Sequence, residues 1–132
     1  MSNQSLGEVD VDFGDHVKKL SFKTAEIMML EERLGAEVFH YLATSKSPLR
    51  FCVEAVYAGL SRTAEAKKLT IQRISDWFDK LPKDRSVTEI QKDILYAIAR
   101  GKPGEEGIEL VKALDEQFAK ETPGVPPPSS PG

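Results

Sequence analysis

Few side chains able to do chemistry stand at the spacings chemistry needs. Glu31 and Glu32 are adjacent. On a helix, neighbours point about 100° apart, so this pair does not face inward as acid and base; it reads as helix surface charge. Cys52 is the single cysteine and sits among Phe51, Val53 and Val56, where a packed core thiol is expected. With no second cysteine an internal disulfide is excluded, and a reducing cytoplasm is the simpler setting. His16 and His40 lie far apart, with no further His or Cys at ligand spacing, whereas zinc sites usually draw on three or four such ligands. There is no Gly-rich phosphate loop, nucleophile elbow or metal-ligand cluster. The sequence therefore predicts no enzyme, no cofactor and no metal site, and what remains is binding.

The elements that would position binding residues begin with an N-terminal hairpin. Val9, Val11 and Phe13 alternate with Asp10 and Asp12, as in a half-buried strand. Gly14 supplies the turn, and Val17, Leu20 and Phe22 carry the returning strand. Thr24 is the expected cap of a first helix with Ile27, Met28, Leu30 and Leu34 on its apolar side, closed by Gly35. A short second helix is expected over Ala36 to Leu42. Ser47-Pro48 starts a third, with a stripe of Leu49, Val53, Val56, Tyr57 and Leu60 widened by Phe51 and Cys52. Ser61 to Lys68 is a polar connection. Thr70 caps a fourth helix carrying Ile71, Ile74, Trp77, Phe78 and Leu81, and Pro82 ends it. Ser86 and Glu89 match a capping box at the head of a fifth helix with Val87, Ile90, Ile94, Leu95 and Ile98, closed by Gly101. A last helix over residues 105–120 spaces Ile108, Val111, Leu114 and Phe118 by threes and fours.

The fold class expected is mainly α (α+β): an N-terminal β-hairpin, then a bundle of five or six short helices. Residues 1–7 are expected to fray, residues 8–120 to form one domain with 105–120 loosely docked, and the Pro-rich stretch 121–132 to be a disordered tail. A chain of 132 residues can bury a single core. No apolar run approaches the roughly 20 residues of a membrane span, and the start lacks the basic-then-apolar pattern of a signal peptide.

Hairpin, helix and helix end follow one another in a pattern that resembles the phage tail assembly chaperones of the gene-transfer-agent and siphophage type. The residues carrying the resemblance are Leu20, Phe22, Thr24, Ala25, Leu30, Glu31, Glu32, Leu34 and Gly35, then VEAVYAGLSR at Val53 to Arg62 and LTIQRISDWFDKL at Leu69 to Leu81. It covers roughly residues 8–100. The resemblance implies a protein made in the bacterial host cytoplasm and absent from the finished particle. It implies a role in holding the long tape-measure protein soluble and in recruiting tail-tube subunits. Glu31, Glu32, Trp77 and Phe118 are the candidate partner-binding residues: two acidic side chains in the family pattern and two large aromatics able to anchor an interface.

Two other readings compete: a further phage protein-interaction module, and a DNA-binding regulator. Val56 to Leu81 loosely resembles a helix-turn-helix, with Ala58-Gly59-Leu60-Ser61 as the turn and Lys67, Lys68 and Arg73 near phosphates. Asp76 and Asp79 on the would-be recognition helix repel phosphate and argue against nucleic acid as a partner. Charge is uneven along the chain. Residues 1–45 carry four basic and eight acidic side chains, residues 46–102 twelve and seven, and residues 103–132 two and six. A basic middle between acidic ends permits head-to-tail self-association into a homo-oligomer.

Overall fold

The computed structural model describes residues 7–44 and 47–120, the Lys120 side chain excepted. The fraying expected for residues 1–6 and the tail expected over 121–132 fall outside the described residues. Strands β1 (Glu8–Asp12) and β2 (Val17–Ser21) form an antiparallel hairpin, followed by α1 (Thr24–Leu34), α2 (Val38–Thr44), α3 (Pro48–Gly59), a 3-10 turn at Ala64–Lys68, α4 (Ile71–Asp79), α5 (Val87–Gly101) and α6 (Gly104–Lys120). The architecture is the mainly α one expected, a hairpin laid on a helical bundle. Among the described residues no helix is long and apolar enough to cross a membrane.

Strand parity decides what the hairpin buries. Val9 pairs with Leu20 and Val11 with Lys18. Val9, Val11, Phe13, Leu20 and Phe22 all face the core. Val17 opens β2 as expected, but since Leu20 and Phe22 are even-numbered it falls on the opposite face and is exposed. The reversal spans Phe13 to His16: the Phe13 amide donates to the His16 carbonyl at 2.8 Å. Gly14 takes φ +104 and donates its amide to Asp12 Oδ1 at 2.8 Å.

The helix signals hold with shifts of a residue or two. Lys23, not Thr24, is the N-cap of α1, and the Glu26 carboxylate accepts its amide at 3.0 Å. That places Glu26 inside, where Arg62 at 3.2 Å offsets the cost of burying a charge. Gly35 ends α1 in the left-handed conformation. α2 begins only at Val38, whose amide is capped by Glu31 Oε2 at 3.2 Å. Thr70 and Ser86 cap α4 and α5 through their hydroxyls as expected.

The core lies between α3 and α5. Phe51, Cys52, Ala55, Val56 and Ala58 from α3 meet Ile90, Ile94, Ala97 and Ile98 from α5, all at 1% exposure or less. Each large apolar side chain buried in this way contributes about 1.5–3 kcal/mol. The hairpin packs on α5 and α3, α1 on α3, α4 on α3, and α6 on α5. Gly101, expected to close α5, is its last helical residue and has a different job. A Cβ there would lie 1.7 Å from the Phe22 carbonyl oxygen, so only glycine lets the strand end approach the helix. Lys102 follows, nine-tenths buried. Its Nζ sits 3.7 Å from carboxylate oxygens of both Glu31 and Glu37 and 3.6 Å from Glu106, tying α1, the α1–α2 connection and α6 to the end of α5.

Three expected core positions lie outside it for a common angular reason. Met28, Leu49 and Ile108 are 63%, 48% and 59% exposed. Each sits roughly 90–130° around its helix from the axis of burial, which Ile27, Leu30 and Leu34 define in α1, Phe51, Cys52, Ala55 and Val56 in α3, and Leu110, Val111, Leu114 and Phe118 in α6.

Candidate functional site

The four candidate binding residues do not converge. Glu31 faces the Lys102 cluster and caps α2, so its charge is used within the fold. Glu32 is exposed on α1, beside a shallow depression that it lines with Glu31, Ala25, Met28 and Met29. Trp77 points from α4 to the hairpin turn, its ring 5.4 Å from Phe13 and 5.0 Å from His16. Phe118 lies on α6 against Tyr96, with the Lys92 ammonium 5.1 Å from its ring. Trp77 and Phe118 are each half-buried in separate aromatic clusters.

A groove opens instead between α3 and α4. Its volume is about 420 Å³, and Leu49 and Val53 from α3 and Ile71 and Phe78 from α4 give it an apolar floor. Arg50, Glu54, Ser75 and Asp79 supply a polar rim. The local sequence explains the shape. Ser47 accepts the Arg50 amide and Pro48 starts α3, fixing the direction in which Leu49 projects. On α4, Ile74 drops fully into the core, leaving Ile71 and Phe78 to flank the groove. Glu54 is held by Arg33, whose guanidinium also lies 4.4 Å over the Tyr57 ring, so the rim is ordered by α1. Apolar floor and charged rim suit the apolar face of a partner helix. The spacing of Leu49 and Ile71 marked them as apolar, and only the third dimension separates a core position from a groove wall.

A second recess, of about 220 Å³, lies where the hairpin meets α4. His16, Lys18, Glu65, Lys68, Leu69, Arg73 and Trp77 line it. Lys18 Nζ is bonded to Glu65 at 2.9 Å and lies 5.0 Å over the Trp77 ring. His16 Nδ1 meets Asp15 Oδ1 at 2.6 Å, a hydrogen bond that holds the Asp15 carboxyl below its usual range.

Cys52 is fully buried with its thiol 3.9 Å from the Val87 carbonyl, and desolvation pushes its pKa up to about 12, so little thiolate forms. Among the described residues no group of three His, Cys, Asp or Glu could hold a metal ion. The helix-turn-helix spacing does not form: Ala58 and Gly59 belong to α3, and the stretch from Leu60 to Thr70 with its 3-10 turn separates α3 from α4. That is well beyond the three or four residues of such a turn. Comparison with protein families, with curated proteins and with solved structures gives no match.

Proposed function

We propose that this protein is a phage tail assembly chaperone that binds the tape-measure protein, keeps it soluble and helps bring tail-tube subunits to it, acting in the bacterial host cytoplasm and leaving before the particle is complete. The observation that carries the reading is the α3–α4 groove, with its apolar floor of Leu49, Val53, Ile71 and Phe78 and its charged rim. A long helical protein rich in apolar faces aggregates before assembly unless those faces are covered. A groove between two helices covers such a face by packing helix against helix. The order of hairpin, α1 and helix end, on which the family resemblance rests, supports the same reading. Masking is stoichiometric here, and release comes from polymerisation of the tube around the client.

Co-expression with a tape-measure fragment tests the proposal. The wild-type chain is expected to bring the fragment into the soluble fraction as a complex. Leu49→Glu, a change at a half-exposed position that leaves the core untouched, is expected to lose it. A fragment that stays insoluble beside the wild-type chain, or that dissolves equally well beside Leu49→Glu, refutes the proposal.

A further inference from the structure

The geometry points to the recess between the hairpin turn and α4 as a binding site for a small phosphate-class oxyanion, either free phosphate or the phosphate of a small phosphomonoester. Its cations come from three separate elements: Lys18 from β2, Lys68 from the 3-10 turn and Arg73 from the first turn of α4. A single carboxylate, Glu65, faces them, and it is already engaged by Lys18 at 2.9 Å. Among the described residues the Lys68 and Arg73 side chains have no hydrogen-bond or ion-pair partner, while the Arg73 backbone amide donates to Thr70 Oγ1 at 3.0 Å. Two free cations thus converge on a concavity whose one anion is spoken for.

The histidine supplies an independent observation. His16 is clamped by Asp15 through Nδ1, stacked on Phe13 at 5.1 Å and set edge-on to Trp77, which fixes its ring. Its Nε2 is buried with no hydrogen-bond partner. A guanidinium and two ammonium groups around one small recess are a donor set for a tetrahedral oxyanion: arginine matches two of its oxygens at once and lysine adds a point charge. The packed rings of Phe13, His16 and Trp77 make one wall rigid, so little ordering is needed on binding. This site is on a different part of the surface from the α3–α4 groove and does not depend on the function proposed above.

Trp77 is the only tryptophan and lines the recess, so its emission reports occupancy directly. The full chain is titrated with inorganic phosphate near neutral pH at constant ionic strength, with chloride as the replaced anion. The expected result is a saturable change in Trp77 emission that chloride does not produce. In the double variant Lys68→Gln, Arg73→Gln, which removes two exposed side chains and no internal contact, half-saturation is expected to rise about tenfold or more. A second arm uses random duplex DNA. The proposal is overturned if phosphate gives no saturable change, or if the double variant titrates like the wild-type chain. It is also overturned if duplex DNA gives a tighter response that collapses steeply with salt, for then the recess belongs to a nucleic-acid surface.

Discussion

Replacing Gly101 with alanine should reverse the usual sign of that substitution. In a helix, Gly→Ala normally stabilises by about 0.5–1 kcal/mol, because alanine loses less backbone freedom. Here the added Cβ would stand 1.7 Å from the Phe22 carbonyl oxygen and 3.0 Å from its carbonyl carbon, with the Gly7 Cα 3.6 Å away. Ordinary contact begins near 3.4 Å, so strand end and helix must part by well over an ångström. The obstacle is backbone, which has no rotamer to turn aside. Phe22 cannot retreat alone: its ring is fully buried and its amide donates to the Gly7 carbonyl at 2.7 Å. Overpacking costs typically about 1–3 kcal/mol. With a rigid obstacle the upper end applies, leaving a net loss of about 2 kcal/mol after the propensity gain. In a domain of this size that lowers the melting temperature by roughly 7 °C. Urea unfolding followed through Trp77 emission and far-ultraviolet dichroism measures it. Gly59→Ala is the internal comparison, since its Cβ would meet the Leu20 Cβ at 2.9 Å and the tip of Phe22 at 3.0 Å, a far milder approach than 1.7 Å. A Gly101→Ala protein as stable as the wild type, or less affected than Gly59→Ala, would refute the close approach of hairpin and α5.

Lys102→Met should cost about 1–3 kcal/mol in the same unfolding assay, because it leaves the carboxylates of Glu31, Glu37 and Glu106 gathered without their shared cation. Adding Glu31→Gln to that variant should recover less than half of the loss, since Glu31 also caps α2. Burial, reinforced by the 2.6 Å hydrogen bond to Asp115, pushes the Tyr96 phenol up to about 12. Its folded pKa lies above the unfolded one, so its contribution to stability is full below about pH 10 and is lost as pH rises through about 12. Phenolate absorbance should show this as one late-titrating tyrosine, absent from Tyr96→Phe.

The fold was legible where one periodicity governed. Alternation gave the hairpin, and Ser47, Thr70 and Ser86 gave three helix starts, because a cap hydroxyl acts on its own next residues. Legibility failed where a neighbour far along the chain decided. Met28, Leu49 and Ile108 are apolar at helical spacing, and their exposure depends on where other elements leave them uncovered. Nothing in the sequence around Glu26 marks it as buried, and its burial depends on Arg62 reaching back to it. The recess at the hairpin turn draws His16, Lys18, Lys68, Arg73 and Trp77 from four elements, and no local pattern couples them. The sequence singled out Lys68 and Arg73 as phosphate contacts of a helix-turn-helix and Trp77 as an interface anchor, without the hairpin that brings them together.

The contact between Phe22 and Gly101 also bears on the order of events in folding. The residues it joins are among the most distant in sequence of any in the core. Closing so long a loop costs entropy before any contact repays it, whereas α3 and α4 are near neighbours in the chain. A two-stranded hairpin is marginal by itself; β2 can rest on α3, but β1 has nothing to rest on until α5 is in place. On a ribosome the hairpin emerges before α5 and must wait, its apolar face only partly covered, until the far end of α5 has been synthesised. Its docking comes late, so strengthening this contact should slow unfolding and leave the rate of folding almost unchanged.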